Sequence, residues 1–362
     1  MNTGNKFSLP MVESKSYEIH KKILFLSKGF KMHSLHLGHL LLDKVNQQET
    51  KYDFATLAKS KGSSETARRI TFQFANYMNV QPEHKAKLDK HFLEWFIGFV
   101  EGDGSFVVSN QKVYFDLTQH IRDIDLLYRI KTLLGFGSVL TRTSVISNRL
   151  HSVGPACKGN SPRNVRVYYV TGKDNFLRLI HLFNGNLISS HKKTQFKAWL
   201  TVFNRQYNEN IPYLESNLIP SFDNAWLSGF IDAEGCFCAR VKNGSTSKLG
   251  KNLFVDFSLA QKNKDILILI KDLFNTEKKT SQIRYDSSWD GYQFYLSNKK
   301  VLVGLVDYLG HYLLKTKKKI DFTIWSNIHN LGINKVHWTE EELNKATKLC
   351  ATIRKYKNKL KS

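Results

Sequence analysis

Two short stretches of this sequence end in the same arrangement of acids. Residues 101–104 read Glu-Gly-Asp-Gly and residues 232–235 read Asp-Ala-Glu-Gly. Each closes an apolar run of helical character, WFIGFV from Trp95 and WLSGFI from Trp226. On a helix Gly98 and Gly102 share one face, as do Gly229 and Ala233, and small residues at that spacing let two backbones approach closely. The two runs are therefore expected to pack against each other, with Trp95, Phe96, Phe99 and Val100, and Trp226, Leu227, Phe230 and Ile231, turned into two half-cores. In a parallel pair, Asp103 and Glu234 arrive together at helix C-termini, where the dipole is already negative. That placement is costly unless cations sit there. Two facing carboxylates completed by phosphate oxygens and water make a hard-oxygen site suited to Mg2+, the apparatus of in-line phosphodiester hydrolysis. A single copy would read as an amphipathic helix with a polar end; the repetition at corresponding places argues for chemistry. Glu101 and Asp232 read as polar helix-end residues before metal ligands.

The repeat extends past these runs. VYFDLTQHIRDIDLLYRIKTLL follows the first copy and LFVDFSLAQKNKDILILIKDLF the second. Each reads as a strand, a glutamine (Gln119, Gln261), a polar break and an amphipathic helix. The second copy carries about eleven more residues between its first two strands, in the turn-rich KNGSTSKLGKN. Two more strand-like stretches and two helices complete each half. The chain thus divides into an N-terminal extension (1–88), a first half (89–203), a linker with Pro212 and Pro220 (204–222), a second half (223–335) and a basic C-terminal helix (336–362) with Thr339 as its N-cap. The fold class is α+β, two pseudo-symmetric units facing each other like a fused homodimer.

Composition bounds the partners. The 362 residues carry a net charge of +23, an excess that calls for a polyanion, nucleic acid or an acidic membrane surface. No apolar run reaches the ~20 residues of a membrane span. No removable targeting segment is read at the N-terminus, where Glu13 and Glu18 accompany Lys21 and Lys22. The four cysteines form no CxxC pair and complete no zinc site.

FIGFVEGDG and WLSGFIDAEG resemble the paired signature helices of the LAGLIDADG homing endonucleases, in the single-chain branch with two motifs. The resemblance covers about residues 90–330. It implies an αββαββα fold in each half, with a saddle-shaped sheet for the DNA major groove around two central packed helices. It also implies a metal site formed by Asp103 and Glu234 together with Gly102 and Ala233, in which two or three Mg2+ ions are shared between the halves, replaceable by Mn2+ or Ca2+. Gln119 and Gln261 match the polar residue that orders active-site water. A lysine early in a late helix is typical: Lys317 matches in the second half, while the aligned first-half position holds His191, leaving Lys192 as the candidate there.

Strand alternation sends every second side chain to one face. Ser105, Val107, Ser109, Gln111, Tyr114 and Asp116 are expected on the DNA side of the first half, with Phe106, Val108, Phe115 and Leu117 inward. Cys236, Cys238, Arg240, Lys242, Asp256 and Ser258 are expected there in the second half, and the later strands add Arg142, Arg166, Gln282, Arg284 and Gln293. Polar side chains on a β-ribbon can contact base edges in the major groove. Because the halves differ in these residues, the target should be long and asymmetric, bound by a monomer. The leading expectation is a Mg2+-dependent, site-specific double-strand DNA endonuclease, encoded in an organelle (mitochondrion or chloroplast). The alternative is a maturase that binds group I intron RNA on the same fold, and a third reading is a DNA-binding regulator without catalysis.

Overall fold

The computed structural model describes residues 71–141, 164–244, 248–274, 281–333 and 338–359. A short helix α1 (Ala75–Val80) precedes the first half. That half runs α2 (Lys90–Asp103), β1 (Gly104–Ser109), β2 (Lys112–His120), α3 (Ile124–Leu134), β3 (Ser138–Thr141), β4 (Val165–Val170), α4 (Lys173–Phe183) and α5 (Ser190–Tyr207). The second repeats the order as α6 (Trp226–Glu234), β5 (Gly235–Asn243), β6 (Lys251–Gln261), α7 (Lys264–Leu273), β7 (Ser281–Asp286), β8 (Gly291–Leu296), α8 (Lys299–His311) and α9 (Lys318–Gly332), followed by α10 (Glu340–Lys359). Each half has a four-stranded antiparallel sheet, ordered β1-β2-β4-β3 and β5-β6-β8-β7.

Local chemistry places the boundaries. Asp89 caps α2 by accepting from Phe92 N at 3.1 Å. Asn263 and Asn298 cap α7 and α8 in the same way. Thr339 and Glu342 form a reciprocal capping box at the start of α10, as the sequence reading of Thr339 expects. Gly104 and Gly235 carry extended backbone, so each motif helix passes straight into a strand.

The central contact is between α2 and α6. An added Cβ at Gly98 would lie 2.0 Å from the carbonyl oxygen of Trp226, and one at Gly229 would lie 1.9 Å from that of Trp95. One at Gly102 would lie 2.2 Å from the Cβ of Ala233. Contacts that advance along both helices together define a parallel pair. The bulky residues of both runs are fully buried on either side, within one apolar core shared by the halves.

Three boundaries differ from the sequence reading. Residues 71–88 belong with the first half: Phe72, Phe74 and Tyr77 are core residues, and Arg178 Nε donates to Val80 O at 2.9 Å. Helix α5 runs on to Tyr207, past the expected start of the linker. Gln111 is not in a strand but forms, with Asn110, a two-residue hairpin turn in which both have positive φ (60° and 49°), the geometry that matches strand twist.

Gly98→Ala or Gly229→Ala drives a methyl into a backbone carbonyl that cannot move aside. Each is expected to cost at least about 3 kcal/mol, read as a lower midpoint in urea unfolding; alanine at exposed Gly310, where a Cβ meets nothing within 4 Å, should not.

Candidate active site

The parallel helix pair brings Asp103 and Glu234 to one place. A Cβ at Gly102, next to Asp103, would lie 3.5 Å from Glu234 Oε1, so the two acids occupy one centre. Gln119 Nε2 donates to Asp103 Oδ2 at 2.6 Å, and the Gln261 side chain bonds Glu234 in the same manner. Both glutamines stand where their strands end beside the motif helices. The Lys192 ammonium donates to Gly104 O. The Lys318 ammonium donates to Ile231 O and Ala233 O, both at 3.0 Å. Each half therefore supplies an acid, a glutamine and a lysine.

Burial sets the electrostatics. Removal from water raises the Asp103 carboxyl, against the hydrogen bond from Gln119 and the charges of Lys318 and Lys192. The same desolvation, together with the negative charge of Asp103, lifts Glu234 to about 7. Burial lowers both lysines, while the nearby acids pull them back up. Two acids and two lysines thus share one poorly hydrated centre, each held away from its charged form by burial and toward it by the opposite charges.

Lys317, the sequence candidate in the second half, is not in the site. It is exposed, and its backbone N–H is held by Asp123 Oδ1 at 2.8 Å. Lys318 takes the place because it is the first residue of α9, one position further round the turn. Lys192, in the first turn of α5, is where the sequence reading puts it. The Ala233 carbonyl already accepts from Lys318, which makes it a poor ligand for a second cation. Glu101 and Asp232 are buried and bonded within the protein. Glu101 accepts from Ile188 N and Ser189 N at 2.8 and 2.7 Å and from the Trp226 indole. Asp232 accepts from Trp95 Nε1, Lys315 N and Thr316.

The sheet faces opposite the core are the candidate nucleic-acid surface. Cross-strand register places Ser105, Val107, Ser109, Tyr114 and Asp116 on one such face. In the second half it groups Cys236, Cys238, Arg240, Lys242, Asp256 and Ser258, with Gln282, Arg284 and Gln293 beside them. Within this set Arg240 bonds Asp256, Arg284 bonds Gln282, and Gln293 Nε2 donates to Ser258 Oγ at 3.3 Å. Ser109 and Ser258 have the expected direction but are covered, at 9% and 6% exposure. Val108, expected inward, is 43% exposed at the end of its hairpin, although its register partner Val113 is buried against α5. Arg166 is a correction: it pairs with Gln119 and so points to the helix side. Arg142 lies outside the described residues. The same register adds residues that the sequence reading passed over. These are Thr118 and His120, then Phe254, under the Arg240 guanidinium, and Tyr295, under that of Arg284. Following the alternation beyond the first polar residues would have found Phe254.

Comparison with known proteins agrees with this architecture. The LAGLIDADG endonuclease family matches residues 96–203 and 227–329, and the chain belongs to that family. It is 38% identical over 271 residues to the probable intron-encoded endonuclease 4 of Neurospora crassa, covering 74% of this chain and 44% of that protein. The chain thus spans less than half the length of that relative. It is 26% identical over 187 residues to the intron-encoded RNA maturase bI4 of Saccharomyces cerevisiae, covering 48% of this chain and 25% of that protein. Among solved structures, the meganuclease I-AabMI bound to uncleaved DNA shares the fold with a TM-score of 0.56 and 23% identity, over 72% of this chain and 98% of that one.

A carboxyl raised by folding makes stability fall as pH rises from its unfolded to its folded value, because the native state keeps a proton the unfolded chain has released. For Glu234 that window runs from the ordinary 4.5 to about 7. Glu234→Gln should therefore raise the melting temperature of metal-free protein above pH 7, by up to the equivalent of about 3 kcal/mol. The gain should vanish below about pH 4.5, and melting curves across pH measure it.

Proposed function

We propose that this protein is a site-specific double-strand DNA endonuclease that hydrolyses one phosphodiester in each strand of a long asymmetric target, with Mg2+ as cofactor. The observation that carries the reading is the meeting of Asp103 and Glu234 at the ends of parallel helices, each with its own glutamine and lysine. Among the described residues no group of three or more His, Cys, Asp or Glu could hold an ion. The donor set fits Mg2+ nonetheless: two desolvated carboxylates and the Gly102 carbonyl are hard oxygens, and Mg2+ ordinarily keeps waters and takes substrate phosphates as its remaining ligands. Mn2+ and Ca2+ suit the same donors. Bound there, the cation would polarise the phosphate and lower the pKa of attacking water.

The protein's own groups do the rest. Gln119 and Gln261 hold the carboxylates, and their remaining amide positions can orient a water. Lys192 and Lys318, with lowered proton affinity, offer positive charge to the developing phosphorane and a proton to the leaving oxygen. The polar sheet faces read bases in the major groove, and the remaining basic side chains neutralise phosphates with steep salt dependence.

The intron-encoded names of the relatives support an organellar origin, in the mitochondrion. The yeast maturase relative favours a second reading, assistance to splicing of a group I intron, which the same chain can combine with cleavage.

Selection from a randomised duplex library with Mg2+ should return one asymmetric site. Asp103→Asn and Glu234→Gln should bind it within a few-fold of wild type but cut it at least about 100-fold more slowly. Lys318→Met should slow cutting strongly and Lys317→Met little. Specific intron-RNA binding without any DNA cleavage would favour the maturase reading instead.

A further inference from the structure

Glu101 and Asp232 each stand two residues before an acid of the shared centre, yet their partners are elsewhere. They are 2% and 3% exposed. Glu101 Oε1 accepts the backbone N–H groups of Ile188 and Ser189, the two residues that lead into α5. Asp232 accepts those of Lys315 and Thr316, which lead into α9, and the Thr316 hydroxyl at 2.6 Å. That hydroxyl accepts in turn from Lys318 N at 3.1 Å. The lysines of the site, Lys192 and Lys318, sit in the first turns of these same two helices.

Each carboxylate also takes an indole from the opposite half. Trp226 donates to Glu101, and Trp95 donates to Asp232 at 2.8 Å. An acid is unfavourable at the C-terminal end of its own helix, but at the N-terminal end of another it meets unpaired amide donors and a positive dipole. The arrangement is the same in both halves although Glu and Asp differ in length.

We propose that Glu101 and Asp232 are positioning residues, each fixing the entry into the helix that carries its own half's lysine, so that each governs cleavage of one DNA strand. A lysine side chain has four rotatable bonds, so its ammonium is placed only as well as the backbone that carries it. Displacement by about 1 Å can cost on the order of 100-fold in rate. Two charge-assisted bonds to consecutive amides are a suitable anchor. This inference rests on the nuclease reading above.

The test uses supercoiled plasmid carrying the selected site and, in parallel, linear duplex of the same site with one or the other strand end-labelled. Glu101→Gln keeps size and one acceptor oxygen but sets an amide donor against donors. It should accumulate nicked circle, with one strand cut on the order of 10- to 100-fold more slowly and the other near the wild-type rate. Asp232→Asn should nick with the opposite strand preference. Thr316→Val, which removes one hydroxyl, should shift preference in the direction of Asp232→Asn to a smaller degree, and it serves if either acid variant does not fold. A residue that merely held the fold together would slow both strands alike. Equal slowing of both strands, the same preference in both acid variants, or unaltered cleavage overturns the proposal. Failure of the wild-type protein to cut any selected site overturns the nuclease reading itself, and this inference with it.

Discussion

The structure depends on two helices meeting backbone to backbone. At Gly98 and Gly229 the neighbouring carbonyls come so near that no side chain fits. That approach does two things together. It lets dispersion act between main chains along the pseudo-symmetry axis, and it makes the ends of α2 and α6 a single place. Among the described residues the site is built on that place: the acids leave the helices there, β1 and β5 begin there, and the lysines are brought to it by α5 and α9.

The centre is held against its own electrostatics. Asp103 and Glu234 are raised by burial and, for Glu234, by mutual repulsion, and Lys192 and Lys318 are lowered. Such opposed shifts in one small volume are usual where charge is to be met by a ligand. Burial raises the neighbouring acids Glu101, to about 7, and Asp232 as well; what differs is their partners. They are fully enclosed, and amide and indole donors satisfy their oxygens, so they serve the fold of the site rather than facing its centre. Acid–small–acid is thus a division of labour set by direction: residues two apart on a helix point some 200° apart.

The halves share a plan and differ where they would read a sequence. Strands β5 and β6 have nine and eleven residues against six and nine in β1 and β2. The longer pair carries Leu253 and Val241 on its under-face, and α10 rests against β5 and α9, burying Leu343, Ala346, Cys350 and Ile353. In the first half Val108 remains exposed at the corresponding end. The open face there has an aromatic pair, Tyr114 and Tyr169, with ring centroids 6.0 Å apart, where the second half has the Arg240–Asp256 pair. Different side chains on equivalent strands are what an asymmetric target requires.

What the sequence determined by itself is whatever repeats with a period of one helix or strand. The glycine spacing on α2 and α6, the acids before Gly104 and Gly235, the paired glutamines and the alternation along β1, β2, β5 and β6 all rest on local geometry, and the fold and the two central acids follow from them. What only the tertiary structure decided depends on where one element ends against another. Lys318 rather than Lys317 enters the centre because Asp123, far away in sequence, fixes the turn before α9. Arg166 turns to the helix side because its register is set by β2 and not by its own strand. The partners of Glu101 and Asp232 come from the opposite half and from loops more than eighty residues away, contacts that no local periodicity encodes, since they exist only after the two helices have met.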